Sequence, residues 1–205
     1  MARPRKQRPL YPKVLVLCEG LTEKNYLLEI KNTLPRENQG GIKIEIEVFK
    51  KNDPLNLVKE ALRRKQKARK EGAQYDRMWV VFDHDNLPNR DKAFKLANHN
   101  NIDVAYSSFN IEVWFLLHFS YSTRAYTNGD EVKQKLRGNY ITDYKPGKTR
   151  ILTTLQSNYE TALQHARKLR NAKQAELDAG TPIWRLNPYI TLDQLTEFLY
   201  QKRKC

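Results

Sequence analysis

The chain reads as an α/β protein in which a mostly parallel sheet of about four strands is covered by helices on both faces and followed by a C-terminal helical extension. Three observations predict this. Apolar, β-prone runs at Lys13 to Cys18 and Met78 to Phe82 have the pattern of strands buried on both faces. Segments with helical spacing of apolar residues stand between such runs. Acidic stretches, Glu19-Gly20 and Asp83-His-Asp-Asn86, directly follow two of the runs, at the strand ends where open parallel sheets place their ligands.

Taken in order, Lys13 to Cys18 is the first strand, and from Thr22, available as N-cap, a helix carries Tyr26, Leu27 and Ile30 until Pro35 stops it. Ile42 to Phe49 alternates apolar with polar residues, the period of a strand with one wet face, near a sheet edge. Asp53-Pro54 starts a helix whose stripe is Leu55, Val58 and Leu62 and whose end, Arg63 to Lys70, is strongly basic. After the third strand, Asp91 to Asn98 reads as a short helix and Ile102 to Tyr106 as a fourth strand. Ile111 to Phe119 is a buried helix, residues 120 to 150 read as irregular, and helices over Ile151 to Leu177 and Leu192 to Lys202 complete the chain.

A length of 205 residues fits one core. Its expected division is a basic N-terminal tail over 1–12, an α/β core over 13–120 and a mostly helical extension over 121–205 packed on that core. With 40% hydrophobic and 29% charged residues the composition excludes disordered and collagen-like chains. The net charge of +14 favours a polyanionic partner, with nucleic acid, DNA or RNA, the leading candidate. Two cysteines without motif spacing, Cys18 and Cys205, argue against a disulfide framework or a cysteine-based zinc site. No run approaches the roughly 18 to 20 apolar residues that cross a bilayer, and Val14 to Cys18 is too brief for a signal-peptide core, so a cytoplasmic protein is expected.

Glu19 follows the first strand and Asp83 the third. If those strands are neighbours, about 5 Å apart, their terminal carboxylates converge on one edge of the sheet. Asp83 and Asp85 stand at i and i+2 and point the same way if the extended backbone persists. Clustered carboxylates repel without a cation, and Mg²⁺, or Mn²⁺, accepts such hard oxygen ligands while keeping waters and a substrate phosphate in its shell. The alternative is that Glu19 caps the following helix and the aspartates are turn residues before Pro88.

Other residues extend the candidate site. Glu23 lies in the first turn of the helix, as a metal ligand or as a carboxylate suited to the helix dipole. Glu112 sits among apolar residues, where burial requires a partner such as a metal or an arginine. His84 is placed to reach a substrate phosphate, whereas His118, on an apolar helix, reads as a hydrogen-bonded core histidine. Lys145-Pro-Gly-Lys-Thr149 has the tail of a phosphate-binding P-loop, but the first required glycine is Thr142. Lys145, Lys148 and Arg150 are instead candidates to hold a phosphate backbone.

Glu19-Gly-Leu-Thr-Glu23 after a strand, Asp83-His-Asp-Asn86 after another, and Asn110-Ile-Glu-Val-Trp-Phe-Leu-Leu-His118 together resemble the RloB-like proteins over most of the chain. Asn187-Pro188 stands where that family tends to carry an Asn-Pro-Ser-Thr segment, with Tyr189 here in place of the Ser. The family belongs to the Toprim group, which has a Rossmann-like sheet. The resemblance implies Mg²⁺ at this site, a catalytic or metal-binding glutamate at Glu19, and metal-binding aspartates at Asp83 and Asp85. It further implies antiphage defence by abortive infection, often beside an ATPase partner. The expected activity is Mg²⁺-dependent phosphodiester cleavage. The competing expectations are a non-catalytic nucleic-acid-binding or sensing subunit that works through an ATPase, and a nucleotide-binding or nucleotidyl-transfer protein.

Overall fold

A computed structural model describes residues 12–34, 42–49, 53–83, 89–148 and 150–201. Within it, β1 (Lys13–Cys18), α1 (Leu21–Lys31), β2 (Lys43–Val48), α2 (Pro54–Lys70), β3 (Arg77–Asp83), α3 (Arg90–His99) and β4 (Asp103–Ser107) alternate as expected. The sheet is all-parallel, in the order β2-β1-β3-β4. This is an α/β, Rossmann-like sheet with β1 and β3 as its two central strands. Strand β2, with its alternating pattern, lies at one edge. At the other edge a single antiparallel bridge from Ser107 to Ile190 covers β4.

The period of two along β1 divides the interior into two cores. Val14, Val16 and Cys18 face one side, where α1 packs through Tyr26, Leu27 and Ile30. Leu15 and Leu17 face the other, where α2 contributes Leu57, Val58 and Ala61 and α3 contributes Ala93 and Ala97. Asp53 starts α2 by accepting from the Leu55 and Asn56 N–H groups at 2.7 and 3.2 Å, with Pro54 at the first helical position. The start of α1 differs from expectation. Gly20, in extended backbone, is its N-cap, and Thr22 lies inside the first turn.

Most of the C-terminal half covers the α1 face, while Leu186 and Tyr189 pack into the opposite core. Helix α4 (Glu112–Leu117) is buried along its whole length. Residues 120–150, expected to be irregular, contain α5 (Gly129–Asn139). Asn128 accepts from Glu131 N–H at 2.9 Å, and the Glu131 carboxylate takes the Thr127 N–H at 2.7 Å, a reciprocal cap that starts the helix. The expected single helix over 151–177 is broken into α6 (Leu152–Leu155), a 3₁₀ turn over Gln156–Asn158, α7 (Tyr159–Ala172) and α8 (Gln174–Asp178). Ser157 and Asn158 explain the first break, because their short polar side chains compete for backbone groups in a helix interior. After a 3₁₀ turn at Ile183–Arg185, α9 (Leu192–Gln201) returns to the sheet. Thr191 fixes that return, its N–H donating to Tyr106 O at 2.8 Å and its hydroxyl accepting from Tyr106 N–H at 2.9 Å. Asp193, buried at the start of α9, is paired with Arg170 of α7 at 2.6 Å. No helix among the described residues is long and apolar enough to cross a membrane.

Candidate metal and phosphate site

The strand order settles the condition on which the acidic site depended. Because β1 pairs directly with β3, residues following them are neighbours: Glu19 N–H donates to Val81 O at 2.9 Å, extending the ladder by one bond. The Glu19 carboxylate turns back over β3 and takes the Asp83 N–H at 3.4 Å. Glu23, one turn into α1, lines the same small recess as Asp83, together with Tyr106, Ser107 and Leu192. Three carboxylates therefore gather at the carboxyl edge of the two central strands. A Cβ at position 20 would lie 2.5 Å from a Glu23 carboxylate oxygen, so a side chain there would require the Glu23 carboxylate to shift.

The donors are hard carboxylate oxygens, the class Mg²⁺ takes, and Mg²⁺ sites commonly use one or two carboxylates and fill the rest of the shell with water and substrate phosphate. Glu19 and Asp83 fit that description. Among the described residues no group of three or more His, Cys, Asp or Glu is arranged as a metal cage. Asp85 and His84 lie outside the described residues.

Glu112 is 2% exposed and takes the Tyr144 hydroxyl at 2.6 Å. The partner that offsets its burial is thus a tyrosine, where a metal or an arginine was expected. Burial raises the Glu112 carboxyl above the usual range, partly countered by that hydrogen bond. Burial, Glu112 and, further off, Glu23 together push the Tyr144 hydroxyl well up. Tyr144 therefore lies within electrostatic reach of Glu23.

Lys145, Lys148 and Arg150 are exposed on the segment that follows Tyr144. That segment lies against the start of α1: Asn25 Nδ2 donates to Gly147 O at 2.7 Å. A Cβ on Gly147 would sit 3.4 Å from Leu21 Cβ and 3.8 Å from Thr22 N. With φ of +68°, Gly147 also holds a backbone conformation that favours glycine. The basic segment and the acidic recess flank the same helix start. Asn25, Glu29 and Tyr144 were not singled out from sequence.

His118 is a core residue. Its Nδ1 lies 2.9 Å from Trp114 O, and its ring meets Trp114 edge-on at 4.7 Å. Burial lowers its pKa from 6.5 to about 4. Since the unfolded chain takes up this proton first, the contribution of His118 to stability is full above pH 6.5 and is lost as pH falls towards 4. Urea unfolding of wild type and His118→Leu across that window is expected to show a shallower pH slope in the variant. Equal slopes would contradict this.

Asn187 contacts the loop ahead of α5, accepting from Tyr126 N–H at 3.1 Å and donating to Tyr126 O at 2.7 Å. Tyr189 donates its N–H to the Ser108 hydroxyl at 2.6 Å. These contacts tie the C-terminal segment to the end of β4. They give Asn187 a structural task.

No curated protein and no solved structure matches the chain. A family model described as RloB-like protein matches residues 14–199, most of the chain and all of the elements that build this site, and the chain belongs to the RloB-like family.

Proposed function

We propose that this chain is a Mg²⁺-dependent, nuclease-like Toprim protein that acts on nucleic-acid phosphodiesters in bacterial antiphage defence by abortive infection. The observation that carries the reading is the Glu19 carboxylate lying 3.4 Å from Asp83 N, with Glu23 in the adjoining recess. Glu19 and Asp83, with Asp85, are the residues that would hold the ion. When bound, Mg²⁺ or Mn²⁺ supplies charge stabilisation to a phosphoryl oxygen and acidifies a water. Glu19 accepts or returns a proton at its carboxylate beside the scissile phosphate. Lys145, Lys148 and Arg150 hold the neighbouring phosphates, and the +14 charge of the whole chain favours a polyanionic partner.

Incubation with DNA and with RNA in Mg²⁺ or Mn²⁺ is expected to yield cleavage products that EDTA suppresses. Salt-sensitive binding that survives EDTA, with no cleavage under either metal, would replace this reading by that of a non-catalytic subunit working through an ATPase partner.

A further inference from the structure

We propose that Asn25 and Glu29 of α1 are positioning residues that hold residues 144–148 and 150–152 as an anion-binding arm beside the acidic recess, so that Lys148 meets a nucleic-acid phosphate there. The inference rests on the nucleic-acid reading above and assigns a task to side chains that touch neither metal nor substrate.

The arm is fastened along its length. At its start the Tyr144 hydroxyl bonds Glu112 at 2.6 Å, and the Tyr144 carbonyl accepts from Arg137 Nε at 3.1 Å. In the middle, Asn25 holds the Gly147 carbonyl at 2.7 Å. At its end the two Glu29 oxygens accept from Ile151 N–H and Leu152 N–H, at 3.2 and 2.9 Å. Asn25 and Glu29 are four residues apart on one helix, so they present to the same side, one turn from each other. The helix that carries Glu23 into the recess is thus the helix that carries the arm. The spacing between Glu23 and the backbone of the arm is set by one rigid element.

The charges of this segment differ from those in the middle of α2. On α2, Arg63, Arg64 and Lys67 are paired with Glu60, Glu47 and Glu71. Lys148 and Arg150 are exposed and enter no ion pair among the described residues. A flexible loop with the same lysines would lose more conformational freedom on binding, so fastening its backbone beforehand strengthens each phosphate contact.

The test uses the full chain in EDTA, a fluorescently labelled single strand and its duplex, and the variants Asn25→Leu, Glu29→Gln and Lys148→Ala. Asn25→Leu keeps a branched side chain of similar size and removes the donor to Gly147 without adding charge. Amide hydrogen exchange over residues 145–152 is expected to rise in both α1 variants while exchange in the sheet stays unchanged. Binding by Asn25→Leu should weaken roughly tenfold, the scale of a hydrogen bond to a charged group, and the slope of log affinity against log salt should fall by about one. Combined with Lys148→Ala, Asn25→Leu should add no further loss, because both remove the same contact.

Wild-type affinity in variants whose arm exchanges faster would overturn the inference and leave the nucleic-acid reading standing. Additive losses with Lys148→Ala, or unchanged exchange over the arm, would also overturn it. A wild-type chain that binds neither strand nor duplex at low salt would remove the nucleic-acid reading and the arm's role together. If Asn25→Leu does not fold, Glu29→Gln carries the same comparisons.

Discussion

Glu19→Gln and Asp83→Asn are each expected to lower metal-dependent cleavage by roughly 100-fold or more, the scale on which loss of one electrostatic group acts in an enzyme site. Both substitutions keep side-chain volume and remove a negative charge. Because the side-chain shape is kept, each amide variant is expected to fold cooperatively and to melt close to the wild-type temperature. Loss of activity without loss of stability separates a functional carboxylate from a helix cap or turn residue, whose removal destabilises. Parallel measurement of cleavage rate and thermal unfolding checks both halves. Undiminished cleavage by either variant would remove that residue from the proposed chemistry.

Trp114→Ala is expected to lower the free energy of unfolding by about 3–5 kcal/mol, the range for truncating a large buried aromatic. Trp114 is fully buried in α4 and donates its indole N–H to the Tyr26 hydroxyl at 2.8 Å. Its ring also meets His118 edge-on and approaches Tyr159 at 6.3 Å. Truncation therefore opens a cavity where α1, α4 and α7 meet, and it removes a hydrogen bond inside that cavity. Tyr26 lies one turn beyond Glu23 on α1, so the loss reaches the helix that presents the recess. Trp114→Phe should cost less, because most of the ring volume stays. Urea unfolding followed by far-ultraviolet circular dichroism gives both values, and a small change for Trp114→Ala would show that α4 does not bear on the stability of the core.

Much of the sheet was legible because its signals are local. The β1 run, with Val14, Val16 and Cys18 on one face and Leu15 and Leu17 on the other, needs burial on both sides wherever it lies. Asp53-Pro54 announced α2 through cap chemistry that spans three residues. The misses were weak local signals. α5 has only Val132 and Leu136 as buried apolar residues, so its cap at Asn128 and Glu131 was outweighed by the polar stretch around it. The break at Ser157 and Asn158 was masked by the apolar periodicity on either side.

The sequence by itself determined that strands alternate with helices, that acids stand at two strand ends, and that the chain carries an excess of positive charge, because periodicity and composition do not depend on distant partners. Only the tertiary structure decided that β1 lies beside β3. That neighbourhood brings Glu19 to Asp83 across 64 positions of chain, Asn25 to Gly147 across 122, and Tyr144 to Glu112 across 32. Such pairs are set by how two cores fill around one sheet, and no local propensity encodes them.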